Sequence, residues 1–225
     1  IPLKTDGFEL PVLRRDFAGV LLVQPRILET RETLRATFER GIEADEAIGC
    51  ELLPWASDRM PDGRGGQALA VGEREASLWG HLNLQEGEGR IRFRGLVDEK
   101  RYGAIIRTVI PSVRGITSPG APILWERRKG GGNNPDQMVL RVDQKPQEGG
   151  EIPPFASVPI ALSEGWHDFE LRWKEGNLEA WVDGERVVSL VGVRLNLHPA
   201  TGPEIVTMAR FVFGGPRGCL SALDD

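Results

Sequence analysis

The chain has 225 residues, a formal net charge of −5 and a pI near 5.4. It is long enough to bury a sizeable core, too acidic overall for a general nucleic-acid footprint, and lacks any apolar run near the roughly 18 residues of a membrane span. Gly (28) and Pro (16) are scattered through the whole length, which cuts it into short segments in the manner of a sandwich or barrel.

A single domain over 1–225 is expected, with 1–16 as a lead-in. The chain begins at Ile1, so a trimmed piece or a processed product is expected, with any signal or anchor out of view. Near-helical spacing of Leu10, Leu13, Phe17, Val20 and Leu21 is broken by Pro11 and Gly19, which leaves at most a short turn of helix. Alternation and β-branched or aromatic content predict strands at Phe17–Val23, Thr33–Ile42, Ile48–Leu53, Gln67–Val71, Ala76–Asn83, Arg90–Leu96 and Tyr102–Val109. Further strands are predicted at Ile123–Arg127, Met138–Val142, Ile160–Leu162, Arg186–Val191 and Ile205–Phe213. The longest loops fall at Ala56–Gly66, Pro111–Pro122, Lys129–Asp136 and Lys145–Pro159.

The clearest signal is "GWHDFELRWKEGNLEAWVDGERVVSL". Phe169, Leu171 and Trp173 alternate with Asp168, Glu170 and Arg172. After Lys174-Glu175-Gly176-Asn177, Leu178, Ala180 and Val182 alternate with Glu179, Trp181 and Asp183. This is a half-buried hairpin followed by a second turn at Asp183-Gly184. Trp173 belongs to its core face and Trp181 to the opposite face. His167 is expected to pin the hairpin. Cys50 and Cys219 lie far apart, as two buried thiols or as one bridge between the early and late parts of the chain.

The segment "SEGWHDFELRWKEGNLEAWVDGERV", together with "TLRATFERGIEADEAIGCELLPWASDRMPDGRGGQALAV", "MVLRVDQ" and "ARFVFGGPRG", resembles the concanavalin A-like lectin/glucanase superfamily, including its laminin-G-like and lectin-like jelly rolls. The resemblance covers roughly three quarters of the chain in the family's order. It implies an all-β fold: a two-sheet antiparallel β-sandwich, or jelly roll, with little helix.

The family's functional positions are altered here. Where legume-type lectins carry an Asp before the early glycine, this chain has Ile48 before Gly49. Where the family's metal pair has Glu and Asp, Arg141 stands at the first position and Asp143 at the second, and a fixed positive charge there disfavours a cation. The glucanase pattern of two carboxylates on one strand face is met only by Glu43 and Asp45, with Glu51 out of spacing. No catalytic group and no metal are therefore expected. Asp58 and Asp62 with Gly63 come nearest to a Ca²⁺ loop, and Asp-Gly is equally ordinary turn chemistry.

A non-catalytic recognition or adhesion module at the cell surface is the expected function, with a glycan or a surface protein as partner. Its ligand is expected to touch Trp55, Asp58, Asp62, Gly66, Trp125, Asn133, Asn134, Asp136 and Trp181, combining loop polar groups with indole faces that stack on sugars. Two other classes stay open. One is a structural or protein-interaction domain of a pilus or virion. The other is a glycoside hydrolase or lyase of the same fold.

Overall fold

A computed structural model describes residues 3–5, 8–10, 33–48, 50–54, 58–82, 88–109, 123–142, 155–193 and 207–224. The early strands are β1 (Leu3–Thr5), β2 (Phe8–Leu10), β3 (Thr33–Arg35), β4 (Glu46–Ile48), β5 (Glu51–Pro54), β6 (Arg59–Pro61), β7 (Gln67–Ala70) and β8 (Glu75–Leu82). The middle of the chain forms β9 (Glu88–Val97), β10 (Gly103–Val109), β11 (Ile123–Arg128), β12 (Gln137–Val142) and β13 (Phe155–Pro159). The chain closes with β14 (Gly165–Lys174), β15 (Asn177–Val182), β16 (Glu185–Leu190), β17 (Thr207–Gly214) and β18 (Leu220–Asp224). No helix occurs among the described residues.

Two seven-stranded sheets make the sandwich. The first runs β13-β12-β11-β10-β17-β8-β5 and the second β16-β15-β14-β9-β18-β7-β6, with all their strand pairs antiparallel. This is the architecture that the resemblance implies. Period-two patterning explains it: each strand sends alternate apolar side chains into one shared core. Phe169, Leu171 and Trp173 of β14 meet Trp125 of β11 and Phe211 and Phe213 of β17 there. The predicted hairpin forms in register from Phe169 opposite Val182 to Lys174 opposite Asn177. Both of its turns place two residues at positive φ, Glu175 (46°) with Gly176 (79°) and Asp183 (51°) with Gly184 (82°), the twist that two-residue hairpins favour.

Several boundaries differ from expectation. The predicted strand Thr33–Ile42 stops at Arg35, because the Asp45 carboxylate accepts from Thr37 N and Thr37 Oγ1, both at 2.7 Å, and turns the chain. Ile160–Leu162 is not a strand. Its apolar side chains tuck toward the core from a loop, while the strand lies just before it at Phe155–Pro159, where small Ala156 and Ser157 weaken the pattern. β6 falls inside a predicted loop, as an edge strand that tolerates Pro61. β1, β2 and β18 were not predicted. Cys219 is a buried free thiol, so no bridge to Cys50 is formed. The predicted strand Phe17–Val23, the helical turn near it, the loop Pro111–Pro122, Asp143 and Trp55 lie outside the described residues.

Candidate functional site

The face of the first sheet that points away from the core is set by the same alternation. Ala76 and Leu78 of β8 pack into the core and leave Glu75, Ser77 and Trp79 outward. Phe211 and Phe213 of β17 do the same for Arg210 and Val212. Register then aligns side chains across the strands: Ser77 opposite Val212, Val212 opposite Arg107, Arg107 opposite Leu124, Leu124 opposite Arg141, and Arg141 opposite Phe155. Ser77 and Val139 are 0% exposed and Val212 1%, although they face away from the core. They form a sunken floor from which the longer charged side chains rise.

On that floor the Glu75 carboxylate is ion-paired with Arg107 and lies 3.9 Å from Arg210 Nη2. All three side chains keep a quarter to a third of their surface, at 29%, 31% and 25%. Half-buried Trp79 sits in register between Arg210 and Glu51. Ser77 Oγ, Arg141 Nε and Arg210 Nε are buried without a hydrogen-bond partner, a state that buried polar atoms rarely keep. Nearby, Ser157 Oγ donates to Gln137 Oε1 at 2.8 Å. The face thus offers an indole plane, guanidinium donors and an unpaired hydroxyl. Such a set can hold a polar ligand with an apolar side.

The outer face of the second sheet is built differently, because its charges satisfy one another. Arg172 Nε donates to Glu170 at 2.6 Å, Arg90 lies 3.6 Å from the same carboxylate, and Arg186 pairs with Glu179 at 2.8 Å. The Arg172 guanidinium holds Glu170 below the ordinary carboxylate range. Trp181 lies in this lattice, with Arg172 stacked 4.2 Å from its ring centroid and its indole N–H donating to Glu179 at 3.2 Å.

The residues singled out from sequence are not gathered into one site. Asp62 Oδ1 accepts from the amides of Arg64 (2.7 Å) and Gly66 (2.8 Å), which closes the turn between β6 and β7. The Arg64 amide, with those of Gly66 and Gly65 and the Arg94 charge, holds the Asp62 carboxyl below its usual range. Arg94 is buried between Asp62 (3.8 Å) and Asp224 (3.4 Å) and stacks on Trp166. Asp136 clamps the turn between β11 and β12, accepting from Gly130 N at 3.1 Å and Arg127 Nη2 at 3.0 Å. Gly130 and Arg127 keep its carboxyl low as well. Asn133 and Asn134 are exposed in that turn, and Asp58 is exposed before β6. Trp125 is 0% exposed and meets Phe169 edge to face, so it presents no surface for stacking.

Among the described residues no three metal-ligating side chains come together, and both oxygens of Asp62 already face donors. His167 does pin the hairpin, with Nδ1 2.8 Å from Asp183 Oδ2 while Asp183 Oδ1 accepts from Asp168 N. Trp79, Arg107 and Arg210 were not among the ligand contacts expected from sequence, and Arg141 was singled out only as a charge that disfavours a cation. The outward position of Trp79 in β8 was readable from alternation, but its neighbours come from β17 and β5.

No protein family matches the chain by sequence, and no curated protein does. In structure it is similar to the exoplasmic/lumenal domain of VIP36, at 11% identity over 86% of this chain and 90% of that one, with a TM-score of 0.45. It is similar to an uncharacterised protein from Mycobacterium paratuberculosis, at 16% identity over 85% and 95%, with a TM-score of 0.44. It is also similar to a PL7 alginate lyase from Zobellia galactanivorans, at 8% identity over 66% and 71%, with a TM-score of 0.36. Likenesses this distant say nothing of what the chain binds or does.

Proposed function

We propose that the chain is a carbohydrate-binding jelly roll whose ligand lies across the outer face of the first sheet, and that it binds this ligand without transforming it. The observation that carries the reading is half-buried Trp79 standing beside Arg210 on a floor made by Ser77 and Val212. An indole plane takes the C–H face of a sugar ring while neighbouring donors take its oxygens. Binding without chemistry is favoured by how the acids of this face are used. Glu75 is engaged by Arg107 and Arg210 and Glu126 by Arg128, which leaves Glu51 beside Trp79 as a single carboxylate, whereas glycoside hydrolysis asks for a carboxylate pair that holds and moves protons.

The test is a glycan array with the intact chain and two single variants. Trp79→Ala should lower affinity for whatever glycan is found by about 1–3 kcal/mol, in the range of an aromatic anchor. Trp181→Ala, on the other sheet, should leave it unchanged. Binding that survives Trp79→Ala and disappears with Trp181→Ala would move the site to the second sheet. Release of reducing ends or unsaturated products from a bound glycan would make the protein an enzyme.

A further inference from the structure

We infer that the ligand of this face is a polyanionic polysaccharide, a glycan carrying carboxylates or sulfate esters, and not a neutral one. The inference rests on the carbohydrate reading above. Against a whole-chain charge of −5, this face sets Arg107, Arg128, Arg141 and Arg210 among Glu51, Glu75 and Glu126. Strands β10, β12 and β17 present Arg107, Arg141 and Arg210 outward, and Glu75 is the carboxylate that touches two of them. Glu126, between β10 and β12, is taken up by Arg128 at 2.5 Å.

The arginines of the two sheets are used differently. On the second sheet, Arg90, Arg172 and Arg186 each have a carboxylate partner, and Arg92 stands in register with Glu170 without pairing to it. On the first sheet, Arg141 forms no ion pair among the described residues, and its buried Nε and that of Arg210 lack acceptors. Guanidinium groups only donate, whereas the hydroxyls of a neutral sugar offer donors and acceptors together, so the unfilled guanidinium positions of this face are matched by oxyanions. Planar carboxylates and sulfates also fit the guanidinium fork in pairs of hydrogen bonds. Glu75 is a precedent within the molecule: a carboxylate already rests between Arg107 and Arg210.

The layout also calls for a polymer. Arg107 and Arg141 sit on strands separated by β11, about 10 Å apart. Trp79 on β8 and Phe155 on β13, the latter 50% exposed, mark the two sides of the face, about 24 Å apart at the usual strand spacing. Apolar platforms at both sides with guanidiniums between them suit an extended chain with repeated charges. A single sugar would touch only part of that row.

The experiment is calorimetric titration of the intact chain with polygalacturonate, dextran sulfate and unsubstituted dextran. Binding to either or both polyanions is expected, with little or none to dextran, and the pattern distinguishes carboxylate from sulfate. Affinity should fall steeply between about 0.1 and 1 M salt, as the screening length drops from about 10 Å to about 3 Å. Arg141→Gln should weaken polyanion binding about tenfold or more, as loss of a charged contact in an interface does. Glu75→Gln should strengthen it, because the competing internal carboxylate is neutralised. Arg92→Gln, on the outer face of the second sheet, should have no effect.

Dextran bound as tightly as the polyanions, with no salt dependence and no change in Arg141→Gln, overturns the anionic class and leaves the carbohydrate reading standing. Failure to bind any of the three overturns the anionic class as well. A glycan array positive only for neutral structures would then preserve the broader reading, and a blank array would end both.

Discussion

The two tryptophans of the β14–β15 hairpin show how position on a strand decides what a side chain is for. Trp173 is 8% exposed and stacks on Phe211 with centroids 6.1 Å apart, so Trp173→Ala should open a cavity and cost about 3–5 kcal/mol. Trp181 is half-buried beneath Arg172, and losing that contact should cost about 0.5–1 kcal/mol. Urea titration of the two variants checks this, and equal severe losses would mean that the second sheet is covered on both faces. Alternation alone assigned both faces correctly. It could not show that Asp62 and Asp136 are clamps and not ligands, because the arginines beside them, Arg94 and Arg127, sit on β9 and β11. The place of Trp79 is not legible in sequence for a related reason: its surroundings exist only once β8 pairs with β17.

Local elements were legible where their chemistry is local. Gly176 and the Asp183-Gly184 pair are residues that positive φ favours, and the register follows from these turns. Weakly patterned strands were not, since β6 and β13 hold their place by pairing with β7 and β12. Gly89 on β9 shows a constraint that local reading cannot supply. It pairs with Trp173, and a Cβ there would run into the indole ring. Gly89→Ala should therefore destabilise the protein by about 1–3 kcal/mol, the usual cost of overpacking. In a Trp173→Leu background most of that added cost should vanish. A double-mutant cycle reads the coupling directly, and purely additive losses would show that the glycine serves the backbone and not the indole.

At the scale of the whole molecule, alternation says which way side chains point but not which sheet a strand joins. Consecutive β17 and β18 enter different sheets, and β18 reaches its partners β9 and β7 far back in the chain. What ties the sheets together is aromatic. Phe169 of the second sheet meets Trp125 of the first at 5.6 Å and its own neighbour Phe93 at 5.4 Å, and Phe93 meets Phe213 of the first sheet at 5.0 Å. Neither sheet can bury its apolar face without the other, so unfolding should be a single cooperative step. The tryptophans report on both sheets, with Trp79 and Trp125 in the first and Trp166, Trp173 and Trp181 in the second. Urea curves followed by indole fluorescence and by far-UV circular dichroism should therefore coincide. Phe169→Ala should shift both together by about 3–5 kcal/mol. Curves that separate, or a Phe169→Ala variant in which one signal moves without the other, would show that the two sheets hold independently.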